Sequence, residues 1–212
     1  MAAPAPVPPA RTENAITPQE GTHNDIRIYA SSNLGYISGY KFHYSANGNN
    51  IYDSTNSSLE FSLALGVKVF GNWRAEAQIS GTAAKINSDV SSSSNPPTSP
   101  SYIASGSIGQ LSVESNFYYD FNKIGFLTPY LGFGVSAEHF TFDDSTASGI
   151  NVLGLGAAAM AGFNSKITPN WDLFVEAKYK YSGFSADFSN TSGGITAHPA
   201  TFSLSSGLRY TF

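Results

Sequence analysis

In eight segments between residue 26 and the end of the chain, apolar side chains recur at almost every second position, with polar or small residues between them. A period of two is the mark of a β-strand with one apolar face. The first segment places Ile26, Ile28, Ala30, Leu34, Tyr36, Tyr40, Phe42 and Tyr44 on one side, with Arg27, Asn33, Gly35, Gly39, Lys41 and His43 on the other. The same division follows in seven more segments. Their apolar faces are carried by Leu59–Val69, Trp73–Ile79, Leu111–Phe121, Leu127–Val135, Leu153–Phe163, Trp171–Tyr181 and Phe202–Phe212. The pattern predicts eight strands.

The links between segments alternate in length. Polar stretches at about 45–57, 85–101, 143–149 and 185–198 alternate with tight links at Phe70-Gly71-Asn72, Asn122–Gly125 and Thr168-Pro169-Asn170. That order suits an up-and-down barrel with both termini on the short-turn side. A tight turn at Asn33-Leu34-Gly35 would divide the long first segment (25–44) and raise the count to ten or more. Residues 1–24 hold five prolines and few large apolar side chains, so they are expected to form a disordered, polyproline-like periplasmic tether ahead of a barrel at 25–212.

Composition decides which face meets which solvent. Only 12% of residues are charged and 14% are aromatic, yet mean hydropathy is slightly negative at −0.14. The polar faces combine small residues with Arg, Lys and Glu, which suits a narrow interior, and aromatics gather near the short turns. Trp73, Phe121 and Trp171 are therefore expected in a girdle at one membrane interface, and Tyr40, Phe42, Tyr44 and Phe61 in a girdle at the other. These features predict an all-β fold: a transmembrane antiparallel up-and-down β-barrel in a bacterial outer membrane. No apolar run is long enough for a transmembrane helix. The start of the chain carries neither the basic nor the apolar region of a secretory signal, so it is expected to be a mature form behind an initiator Met. There is no cysteine, and the net charge of −4 with no basic patch argues against nucleic acid.

The last nine residues, Leu204-Ser-Ser-Gly-Leu-Arg-Tyr-Thr-Phe212, resemble the closing strand of outer-membrane barrels. Pro129-Tyr-Leu-Gly-Phe-Gly134, Ile167-Thr-Pro-Asn-Trp-Asp-Leu173 and Lys178-Tyr-Lys-Tyr181 are similar to strand and turn patterns of the OmpA/opacity-type superfamily of small barrels. The resemblance implies that Leu208, Tyr210 and Phe212 form the signal read by the barrel-assembly machinery. It also implies outer-membrane lipid and lipopolysaccharide as surroundings, and host or matrix ligands as partners of the loops.

On the strand parity, Arg74, Glu76, Glu114, Glu138, Glu176, Lys178 and Arg209 point inward. Charges in so narrow a space must pair, which predicts an interior salt-bridge network that plugs a monomeric barrel. Nucleophilic catalysis lacks its residues: His139, with Thr141, Asp143 and Asp144, forms only a loose cluster without the serine two positions on. His23, His43 and His198 show no metal-ligand spacing, and no cofactor motif is present. The function expected is that of a non-enzymatic surface protein, structural or adhesin-like, whose loops (Ser88–Ser101 above all) face outward. A narrow channel for small solutes is the alternative, and a hydrophobic-ligand transporter with a lateral opening a third.

Overall fold

A computed structural model describes Met1 and residues 26–46, 49–69, 71–87, 106–144, 148–188, 193–197 and 199–212. The tether, the 88–101 loop, Phe70, His23 and His198 lie outside the described residues, as do the side chains of Phe42, His43, Tyr44, Asp143 and Asp144.

Eleven strand segments make eight staves. The first stave is β1 (Arg27–Ile37) continued by β2 (Lys41–Ala46), and the second is β3 (Asn49–Thr55) continued by β4 (Ser58–Lys68). Five unbroken staves follow: β5 (Trp73–Asn87), β6 (Gly106–Asp120), β7 (Leu127–Asp144), β8 (Ser148–Lys166) and β9 (Trp171–Phe188). The last is β10 (Gly193–Ala197) with β11 (Ala200–Thr211). Each stave pairs antiparallel with its neighbours in sequence, and β1 pairs with β11 from Tyr29↔Thr211 to Ile37↔Ser203, closing the cylinder. Closure leaves no open edge, so the described strands can satisfy their backbone groups without water.

The register fixes the barrel's size. Stepping from Ile28 through Val67, Ala75, Phe117, Phe133, Ala159, Tyr179 and Phe202 returns to the first stave at Ser38, which bonds Phe202. Going from 28 to 38 is a shear of ten residues. With about 3.3 Å per residue and about 4.8 Å between strands, eight such staves lean about 40° and close on a radius of about 8 Å. A cylinder that narrow is filled by its own side chains.

Alternation assigns the two faces as the sequence suggests. Leu63, Leu65, Ile79, Val113, Phe133, Val135 and Leu204 are exposed on the outside, while Ser62, Gln78, Ser112, Glu114, Ser136 and Ser203 are buried inside. Outward positions turn polar above Leu111 and Leu153, at Lys85, Ser107, Thr141 and Asn151. The apolar band from Trp171 to that level is about 25 Å tall, the height of an outer-membrane hydrocarbon layer. Tight turns close the other end. Gly71 and Gly125 adopt positive φ of 53° and 62° there, which only glycine takes without strain.

Three expectations need correction. The first segment does not alternate unbroken from 26 to 44. It is interrupted at 38–40, beside a matching break at 56–57, where Tyr40 N–H donates to Thr55 Oγ1 at 2.8 Å and Thr55 N–H donates to the Tyr40 carbonyl at 3.0 Å. The extra residue flips the parity, so Tyr40 points into the barrel and not into an outer girdle. Nor does the chain turn at Asn33-Leu34-Gly35: all three pair in register with β4 and β11, and the count stays at eight. Finally, the polar stretches are strand for much of their length. β2 and β3 pair from Lys41↔Ser54 to Ala46↔Asn49, and β7 and β9 run to residues 144 and 188, so the staves stand well above the apolar band.

Candidate functional site: the filled lumen

Followed upward from the short turns, the interior changes character in three tiers. The lowest is aromatic. Tyr29, Tyr118, Tyr130 and Phe174 are all buried, and each stands in register opposite a glycine on the next stave: Gly66, Gly132, Gly162 and Gly207 respectively. The ring lies flat across the glycine. A Cβ added to Gly162 would sit 2.6 Å from Tyr130 Cζ, and one added to Gly207 would sit 2.5 Å from Phe174 Cζ. Only glycine leaves room for rings this close to the wall.

Two arginines fill the space between the rings. The Arg74 guanidinium lies 4.5, 5.1 and 5.9 Å from the ring centres of Tyr118, Tyr130 and Tyr29, and that of Arg209 lies 4.9 and 5.1 Å from Tyr29 and Phe174. Cation–π attraction is strongest where water is absent, and Arg74 is 1% exposed. Arg74 Nε also donates to both Asp120 oxygens at 3.0 Å, with Nη2 3.0 Å from Oδ1. Tyr118 and Tyr130 meet edge to face at 5.6 Å, and Met160 packs against them.

The middle tier is ionic. Lys178 Nζ lies 2.8 Å from Glu114 Oε2, and Lys180 Nζ lies 3.4 Å from Glu114 Oε1 and 3.1 Å from Glu138 Oε1. The Lys178–Glu114 pair runs from β9 to β6, three staves apart, across the lumen. It can do so because β8 between them presents only Gly154, Gly156 and Ala158 at that height. Ser112 donates to Glu114 at 3.1 Å and Ser136 to Glu138 at 2.9 Å. Just below, Tyr130 OH donates to Glu176 Oε2 at 3.2 Å. The top tier is apolar: Tyr40 and Phe140 meet edge to face at 6.4 Å among Ile37, Ile108 and Val152, and Tyr40 OH donates to Gln110.

All seven charged residues chosen from parity face inward and are buried, but the partners differ from a simple salt-bridge mesh. Lys178 and Glu114 do pair. Arg74 instead pairs with Asp120, and Glu138 with Lys180, neither of which was among the seven. Arg209 lies between aromatic rings, Glu176 accepts from a tyrosine, and Glu76 is buried at the foot of the middle tier. Composition alone does not separate this aromatic tier from the lipid girdles, because rings suit both hydrocarbon and a dry interior. The signal was present in the inward parity of Tyr29, Tyr118 and Tyr130.

At the short-turn end the girdle forms as a chain of rings. Trp73 meets Tyr119 at 5.0 Å, and Tyr119 meets Phe121 at 5.1 Å; across the barrel, Trp171 meets Tyr210 at 5.0 Å and Tyr210 meets Phe212 at 5.2 Å. Leu208 points outward above them, exposed. His139 sits in register between Leu111 and Leu153, and Thr141 bonds Asn151. Among the described residues no group of three or more His, Asp or Glu is arranged to hold a metal.

Glu114→Gln removes the charge that holds both lysines. It is expected to lower the unfolding free energy by about 2 kcal/mol, less than for a dry pair because serine hydroxyls remain nearby. Urea titration of the reconstituted barrel checks this, and Glu114→Gln combined with Lys178→Met should recover part of the loss.

A closed antiparallel cylinder with an apolar outside, a polar inside and aromatic rings at its turn end is a transmembrane barrel of the bacterial outer membrane. The sequence profile of the Opacity family of porin proteins matches residues 44–212, and the chain belongs to that family. Its fold is similar to that of Neisserial surface protein A (18% identity, TM-score 0.56, covering 87% of this chain and 97% of the other). It is also similar to the outer membrane protein OprG from Pseudomonas aeruginosa (13%, 0.58, 88% and 95%) and to the outer membrane protein AlkL in lipid bilayers (18%, 0.60, 100% and 97%). No curated protein sequence matches the chain.

Proposed function

We propose that the chain is a non-enzymatic surface protein of the outer membrane, a monomer whose closed barrel holds its long-loop end outside the cell for a structural or adhesive role. The observation that carries this reading is the aromatic–arginine floor. Four rings and two guanidinium groups fill the full width of a lumen only about 8 Å in Cα radius, and each ring is seated on a glycine. A scaffold of this kind leaves function to what it displays. Similarity in fold to a protein named a surface protein supports the same reading.

Lipid and lipopolysaccharide surround the apolar band. Leu208, Tyr210 and Phe212 serve the assembly machinery, their outward edge being the part of the last strand that a partner can reach before closure. Interior charges tie the staves together. A narrow channel is the second reading, favoured by the serine-lined middle tier and by the family's porin description. Liposome swelling with sugars of graded size separates the two: the scaffold reading expects no swelling above protein-free liposomes, and size-dependent swelling would replace it with the channel. Exchange of the 88–101 loop for a short turn is then expected to abolish binding to matrix-coated surfaces while leaving the folded barrel intact.

A further inference from the structure

Charges at the short-turn mouth are arranged differently from those deeper in the barrel. Arg27 on β1, Lys68 on β4 and Arg74 on β5 stand directly opposite one another in register, on three consecutive staves. Residues paired in this way share a face, their Cβ atoms about 5 Å apart, and like charges so placed repel. Asp120 answers one of the three, through its ion pair with Arg74. Among the described residues neither Arg27 nor Lys68 is in an ion pair. Lys68 feels Asp120 and Asp172 from beyond ion-pair distance, and feels Arg74 and Arg209 against them. The row on the other side of the mouth, Lys166, Asp172 and Arg209, alternates in sign across β8, β9 and β11 and so largely compensates itself. Over the whole end, Arg27, Lys68, Arg74, Lys123, Lys166 and Arg209 stand against Asp120 and Asp172. Adding Asp25, which lies outside the described residues, and the carboxylate of Phe212 still leaves the cations in excess. The chain as a whole carries a net charge of −4, so this end is a local reversal.

The unanswered cations also lie at a defined depth. Ile26 and Ile28 flank Arg27 and are exposed, as are Ile124 and Phe126 beyond Lys123 and Ile167 beside Lys166. Trp73, at the foot of β5 beside Arg74, is exposed at the same end. Indole rings gather where hydrocarbon gives way to headgroups, which is the level of lipid phosphate. Arg27 is exposed and Lys68 half-buried, so both can be reached from the rim. From this arrangement we infer that the rim formed by Arg27, Lys68 and Arg74 is a phosphate-binding site that takes the headgroup of an anionic phospholipid from the short-turn leaflet. The phosphodiester oxygens accept from the Arg27 guanidinium and the Lys68 ammonium, supplying the counter-charge that the row lacks. Arg74, held by Asp120 and the rings, adds to the field without leaving its place. The acyl chains lie along Ile28, Val67 and Trp73 on the outside of the same three staves, Ile28 and Val67 being directly opposite in register. That apolar flank favours a lipid over a free phosphate ion.

The chain has two tryptophans, Trp73 beside this row and Trp171 beside the self-compensated one, so the two sides can be read separately. Trp171→Phe and Trp73→Phe proteins are reconstituted in mixed phosphatidylglycerol–phosphatidylcholine bilayers, with one lipid at a time carrying brominated acyl chains. Bromine quenches tryptophan only at short range, so the ratio of the two quenching levels reports the local lipid ratio. At Trp73 the anionic lipid is expected to be enriched about threefold over its bulk share, while Trp171 reports a ratio near bulk. Arg27→Gln with Lys68→Gln should return Trp73 to bulk and leave Trp171 unchanged, its spectrum also showing that the barrel is folded. Inorganic phosphate, at the ionic strength of a chloride control, should leave the enrichment in place. A bulk ratio at Trp73 in the unsubstituted rim would overturn the site, and enrichment that survives the double substitution would overturn its residues. Equal enrichment at both tryptophans would overturn the row as its cause. Loss of the enrichment in phosphate but not in chloride would assign the site to a free anion and overturn the lipid.

Discussion

Arg74→Met lowers the unfolding free energy of the barrel by about 3 kcal/mol, the largest loss expected from a single charge removal in the lumen. The substitution breaks the ion pair with Asp120 and withdraws the cation from three rings at once. Asp120 is 15% exposed near the short-turn mouth, which moderates the cost of leaving it behind. Methionine fills much of the volume, so the loss reports the charge more than a cavity. Arg74→Lys should recover less than half, because an ammonium has no flat face to lay between Tyr118 and Tyr130 and cannot bond both Asp120 oxygens in the same way. Trp73 and Trp171, exposed at the lipid interface, make tryptophan fluorescence in urea a direct readout.

Gly162→Val has a larger effect still, and the barrel should fail to reach its folded form. Even Gly162→Ala is expected to cost about 2–3 kcal/mol, since the new Cβ would lie 2.6 Å from Tyr130 Cζ and press on the Val175 carbonyl of the neighbouring stave. The contrast is Gly81→Ala on the lipid face, where the nearest atom to a Cβ is 3.9 Å away; its effect should stay within about 0.5 kcal/mol. If both changes cost the same, the ring-on-glycine packing is not what holds the floor. Gly162→Ala combined with Tyr130→Leu should recover part of the lost stability, because the two positions face each other in register.

Most of the architecture is legible in the sequence because lipid imposes it. One face of every stave meets hydrocarbon, so alternation persists through Leu59–Val69 and Phe202–Phe212 and sets the parity of Glu114, Lys178 and Arg209 without any knowledge of contacts. What alternation cannot carry is register between staves. Tyr29 and Gly66 lie 37 positions apart, and nothing local says that one covers the other. The same holds for Lys178 and Glu114, which meet only because three staves curve around them. The reversal at Tyr40 was hidden for another reason. The sequence keeps an apolar residue at most even positions through 44, Ser32 and Ser38 excepted, so apolar Tyr40, Phe42 and Tyr44 read as a continuation of the same face across the break at 38–40. In the candidate site, the charges were readable as a set and their pairing was not, because Asp120 and Lys180 owe their roles to neighbours that only the closed cylinder supplies.

The closed floor is the central claim, and planar-bilayer recording tests it most directly. Wild-type protein should show no stable open events, whereas Arg74→Ser, which takes the cation from among Tyr29, Tyr118 and Tyr130, should show steps of constant size. Stable openings in the wild type that are unchanged by Arg74→Ser would contradict it.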